Sequence, residues 1–198
     1  MAGTLHITGD DDADRLLNTD ADALLVGMLL DQQVPLGWAF RGPSTLRSRL
    51  GHLDPARIAA MDVDVVVSAC ATKPAIHRFP TSMGERIHAL CGTLVDVHGG
   101  RAERIWADGA DAAEVGDRLR DLPGFGEEKA KIFLALLAKT QGVELDGWRS
   151  AADPFGDEQP RSAADCHDAA SLARVKEWKR EQRAAKRDKQ GRPLDGAR

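Results

Sequence analysis

At 198 residues the chain is long enough for one well-cored domain or two small lobes, and no apolar run in it reaches the length that spans a bilayer. It has no Tyr and five Phe against abundant Ala, Leu, Asp and Arg, a composition that favours helix over sheet. Three cysteines, Cys70, Cys91 and Cys166, are odd in number and far apart, which excludes a disulfide scaffold. With no apolar leader after Met1, they point to a reduced, cytoplasmic setting.

Residues 4–8 read as a short strand ended by Gly9. Asp10, Asp11 and Asp12 lack the ligand spacing of a calcium loop and are expected to cap a helix over 13–17. Residues 21–30 are apolar nearly all round, the pattern of a helix buried at the centre of its domain, with Thr19 or Asp20 as cap. That helix runs into Asp31-Gln32-Gln33-Val34-Pro35, where the proline stops it. After Trp38 and Phe40, Gly42-Pro43 reads as a turn and Ser44 as the start of a helix ending at Leu50. Asp54-Pro55 opens a short helix over 56–61. Residues 62–69 carry Val63, Val65, Val66 and Val67, and periodicity leaves strand and buried helix both open. A Pro-bounded loop over 73–80 holds Lys73, His77 and Arg78. Ser82 with Glu85 forms a capping box for a helix over 82–98, closed by Gly99-Gly100.

The segment Leu122-Pro123-Gly124-Phe125-Gly126-Glu127-Glu128-Lys129-Ala130 separates a helix over 112–119 from one over 129–139. Pro and two glycines spaced one apart permit a tight turn with positive φ. The unpaired N–H groups opening the second helix make an anion site. Gly142 and Leu145-Asp146-Gly147 follow, then a loop over 153–161 and a terminal helix from 165 to about 189. The net charge of −4 divides unevenly. Residues 174–198 hold ten Lys/Arg against four Asp/Glu, or +6, and leave −10 on the body. A basic tail on an acidic body suits tethering to a polyanion, and equally suits a solvated helix end.

Three of these features resemble the helix-hairpin-helix-GPD superfamily of base-excision DNA glycosylases, in a small bacterial branch, over residues 20–150. They are the Leu122 to Ala130 turn, Asp146 eighteen residues beyond Glu128, and the buried helix that ends at Gln32-Gln33. The resemblance implies an all-α, two-lobed fold with a helix-hairpin-helix at its cleft. Residues 1–165 would form the glycosylase domain and 166–198 a basic terminal helix and tail. It implies double-stranded DNA containing a damaged base as partner, no membrane, and a nucleoid-associated cytoplasmic location. Oligomeric state stays open.

In the family the hairpin clamps a backbone phosphate and a glutamine fills the gap left by an extruded base. The matching residues here are Gly124, Phe125, Gly126, Lys129 and Lys131 for the clamp, and Gln33, with Gln32 beside it, for the wedge. An aspartate stabilises the sugar cation as the glycosidic bond breaks, and by position this is Asp146. No proline precedes Asp146, which is a departure from the pattern, so Asp153, Glu144 and Asp31 stay as candidates, and Asp146 as a cap of the next short helix stays open. Trp148, Trp38 and Phe125 are candidates to stack on the base. Lyase members carry a lysine at the seventh hairpin position, which is Glu128 here, so a monofunctional glycosylase is expected. A catalytically silent DNA-binding module is the alternative. Only Cys166 lies beyond Asp146, too few thiolates for the iron-sulfur cluster of endonuclease III relatives. The expected cofactor set is empty, apart from the monovalent cation that the family often holds on its hairpin carbonyls.

Overall fold

The computed structural model describes residues 3–108, 110–188 and 190–194. Among these residues the regular elements are helical, apart from one isolated bridge between Arg187 and Pro193. The chain is all-α, as its composition predicts.

α1 (Asp11–Thr19) starts where Asp10 accepts the N–H groups of Asp12 and Ala13. Asp20 caps α2 (Ala21–Leu30), in which every residue from Ala23 to Leu30 is buried. α3 (Leu36–Leu50) runs through Gly42-Pro43 instead of beginning after it. Proline forfeits one helical N–H there. The missing side chain at Gly42 lets α3 close on α2, since a Cβ would collide with Leu30. α4 (Pro55–Ala59) follows its Asp54 cap.

The valine-rich stretch is helix, α5 (Val63–Ala71), with Val66 and Cys70 buried one turn apart and Val65 left half-exposed. It packs along α6 (Pro80–His98). That helix begins two residues before Ser82, so the expected capping box does not form: Phe79 is the cap residue and Ser82 falls in the first turn. Proline suits this first position because its missing N–H would have no partner. Gly99 closes α6 in the left-handed conformation.

α7 (Ala112–Arg120) and α8 (Glu127–Gln141) flank the Pro-Gly turn, followed by the single turn α9 (Trp148–Ala151) and by α10 (Ala169–Ala184). α10 starts at its Asp168–Ser171 capping box and ends at Ala184, shorter than the 165–189 reading. Lys189 and residues 195–198, part of the expected basic tail, lie outside the described residues.

The 4–8 segment is not a strand. Thr4 N–H reaches Thr140 O (2.8 Å) and His6 N–H reaches Cys166 O (2.9 Å), while Ile7 and Thr8 donate to the Asp14 carboxylate. With its backbone partners scattered over helix ends, no ladder can form. Helices α1–α6 pack among themselves around α2 and α6, and α7–α9 gather on α8. A 3-10 turn at Ala102–Ile105 touches α2, α6 and α7 and joins the two groups. One apolar core runs through both and includes Leu172 and Val175 of α10.

Candidate nucleic-acid interface

The turn between α7 and α8 is built by its sequence. Phe125 N–H donates to Leu122 O (3.0 Å) across Pro123 and Gly124, with φ +79 at Gly124. This is the residue pattern of a type II turn. A Cβ at position 124 would stand 2.5 Å from Leu29 Cδ1, so glycine lets the turn seat on the last turn of α2. Gly126 is the cap residue of α8 with no side-chain hydrogen bond, and a Cβ there would meet open space. The start of α8 therefore offers first-turn N–H donors and the positive dipole end at an open surface.

Three side chains expected at this clamp are engaged elsewhere. Phe125 is buried and packs edge-on against Phe133, with centroids 6.1 Å apart, so it belongs to the core. Lys131 pairs with Glu127 (3.2 Å), which also faces Arg120 (3.4 Å). Lys129 turns back towards α2, where its Nζ donates to Leu29 O (2.5 Å). The backbone of Gly124 and Gly126 remains the open part of the turn.

Beside it lies the turn from α2 to α3. Arg86 donates to Gln32 Oε1 (2.8 Å), and His77 Nε2 stands 3.0 Å from Gln32 O. His77 Nδ1 accepts the Phe79 N–H (3.1 Å), so the hydrogen sits on Nε2 and is donated to Gln32 O. Burial lowers the His77 pKa, helped by the Lys129 and Arg86 charges and opposed by the Gln32 and Leu30 carbonyls, so the ring is neutral. This His77–Gln32–Arg86 lock was not visible in the sequence, because its members come from three separate segments. The two glutamines thus part company. Gln32 is held by the lock, while Gln33 is exposed with φ +58, a left-handed conformation that costs a non-glycine residue about 1–2 kcal/mol.

Gln33 edges a cavity of about 990 Å³. One wall comes from the α2–α3 turn and the start of α3, with Asp31, Pro35 and Trp38. Glu128 of α8 and Leu172, Lys176, Lys179 and Gln182 of α10 also line it. The basic helix noted in the sequence is therefore part of a cavity wall. Trp38 is 40% exposed, its Nε1 donating to Ala75 O (3.2 Å), and it is the candidate stacking aromatic that lines the cavity. Trp148 is buried, with Arg149 over its ring at 4.5 Å.

Asp146 is exposed and does not line this cavity. Its carbonyl accepts the Ala112 N–H (3.1 Å) at the start of α7, the end remote from the hairpin turn. Glu144 and Asp153 are likewise exposed and outside it. Asp31 and Glu128 are inside. Among the described residues two aspartates are buried, Asp14 and Asp31. Asp14 accepts from the Ile7 and Thr8 N–H groups and the Thr8 hydroxyl. The Asp31 carboxylate has no hydrogen bond or ion pair among the described residues, although it is only 6% exposed.

Burial pushes the Cys70 thiol up to about 11 and the Cys91 and Cys166 thiols up to about 12, which keeps them protonated and poor nucleophiles. No cluster of three or more His, Cys, Asp or Glu side chains suited to a metal occurs among the described residues, and none of their helices is long and apolar enough to cross a membrane.

No family model matches the chain, and no curated protein matches it. Among solved structures, the chain is similar to a trapped endonuclease III–DNA covalent intermediate in an estranged-adenine complex, at 17% identity and a TM-score of 0.43. That match covers 62% of this chain and 54% of the other, so this chain spans about half its length. It is also similar to a non-covalent endonuclease III–DNA complex, at 15% identity and a TM-score of 0.46, over 83% of this chain and 73% of that one.

Proposed function

We propose that this protein is a DNA N-glycosylase of the helix-hairpin-helix class, hydrolysing the bond between a damaged base and its sugar in duplex DNA. The observation that carries this reading is the placement of the α7–α8 turn beside the Gln33 turn, with Glu128 and Gln33 both lining one cavity. A phosphate on the N–H groups of Gly126 and the first turn of α8 would hold the strand at the cavity's edge. Gln33, exposed and held in a strained conformation, suits the gap left when a nucleotide swings out. The cavity is of a size to take a base with its sugar, and Trp38 stands in its wall.

The seventh hairpin position being Glu128, and the Lys129 amine being held by the Leu29 carbonyl, both support hydrolysis without a lysine adduct. The exposed site of Asp146 favours a second reading, a silent module that binds distorted DNA. A set of duplexes, each with one damaged base, separates the two when reaction products are treated with alkali. Cleavage at one lesion supports the enzyme. Binding that falls with salt but never yields an alkali-labile site supports the module.

A further inference from the structure

Of the two aspartates buried among the described residues, Asp31 is the one whose side chain has no hydrogen bond or ion pair there, and it lines the cavity. Its carboxylate is left to meet whatever enters the cavity. Asp31 is also the C-cap residue of α2, at the negative end of that helix dipole. Both features favour a cation in the cavity. Lys176 and Lys179 of α10 line the same cavity. The cavity thus combines a carboxylate suited to positive charge with lysines suited to phosphate.

We propose that Asp31, and not Asp146, is the catalytic carboxylate, facing C1′ of an extruded deoxynucleotide whose flanking phosphates are met by the basic wall of α10. This rests on the glycosylase reading. As the C1′–N bond breaks, its electron pair leaves with the base and the sugar becomes an oxocarbenium ion, which Asp31 stabilises. Water then bonds to C1′ through its oxygen. One of its protons passes to the Asp31 carboxylate and from there to the departed base, giving a free base and an abasic sugar.

The test compares binding of two duplexes by the intact protein and by Asp31→Asn and Asp146→Asn. One duplex carries a pyrrolidine abasic analogue, cationic where the sugar cation forms, and the other a neutral tetrahydrofuran analogue. The wild type is expected to prefer the cationic duplex by about tenfold or more, with the preference lost in Asp31→Asn and kept in Asp146→Asn. Asp31→Asn is expected to keep the wild-type unfolding midpoint, because no hydrogen bond or ion pair is lost, whereas a carboxylate with a structural partner would give a fall. On a damaged duplex it should slow base release by about a hundredfold or more. A wild-type protein with no preference, or a preference that survives Asp31→Asn, overturns the assignment. If base is released without an Asp31-dependent preference, the glycosylase reading stands and this inference fails. If the preference is present but no base is released from any duplex, the glycosylase reading fails and the catalytic role of Asp31 is overturned with it. Failure to bind either duplex sinks both.

Discussion

The Lys129 amine donates to the Leu29 carbonyl at 2.5 Å, tying the first turn of α8 to the last turn of α2. A cation at a helix C-terminus that also closes a tertiary contact is stabilising. Lys129→Met should lower stability by about 1–3 kcal/mol in urea unfolding, since it leaves a carbonyl without this partner. Because that amine is engaged, borohydride should trap no covalent protein–DNA adduct during reaction with a damaged duplex. A trapped adduct that disappears in Lys129→Met would refute this.

The two hairpin glycines should respond differently. Gly124→Ala combines a positive φ with a clash on Leu29, and should cost about 2–4 kcal/mol. Gly126→Ala places its methyl in open space at φ −124 and should change stability by less than about 1 kcal/mol. Its duplex affinity should nevertheless fall several-fold, as the methyl stands where the backbone would approach a phosphate. Unchanged affinity in Gly126→Ala would remove the turn from the DNA contact.

Gln33→Gly relieves the left-handed strain at φ +58 but adds freedom to the unfolded chain. These effects oppose each other, so the unfolding midpoint should move little, by less than about 1 kcal/mol in stability. Base release should drop about tenfold or more if the side chain fills the vacated stack. Full activity in Gln33→Gly would exclude the wedge role.

Burial pushes the Asp22 carboxyl up from 3.8 to about 6, against the lowering effect of the Ala102 N–H bonded to it at 2.8 Å. The folded state then holds this proton more tightly than the unfolded chain. The associated stability is full below pH 3.8, declines as pH rises to about 6, and stays low above that. Asp22→Asn keeps the neutral form at every pH. At pH 7.5 it should exceed the wild type by about 1 kcal/mol, a value discounted for partial exposure, and the gain should vanish near pH 4. A gain independent of pH would contradict this titration.

The sequence carried the helices well where local chemistry decides them. Asp20 and the unbroken apolar run predicted α2, and Pro123-Gly124 predicted the turn before α8. It misplaced elements that tertiary packing decides. Pro43 sits inside α3 because Gly42 lets that helix close on Leu30, and the valines of α5 are helical because α6 covers Val66 and Cys70. The site was legible in the same measure. Gln33, Gly124 and Gly126 lie in turns between helices, which local chemistry predicts, and their roles towards DNA are part of the proposal. The destinations of Lys129 and Arg86 depend on contacts made 50 to 100 residues away, Lys129 with Leu29 and Arg86 with Gln32, and no spacing rule encodes them. Asp31 was one of four carboxylate candidates in the sequence, and its burial without a partner set it apart only in three dimensions.

Release of free base tests the central claim most directly. Protein in excess is mixed with duplexes that each carry one modified base, and the liberated base is separated by chromatography. One base should be released in equal amount to alkali-labile sites, with no strand break before alkali. No free base from any duplex, together with equal affinity for damaged and intact DNA, would contradict it.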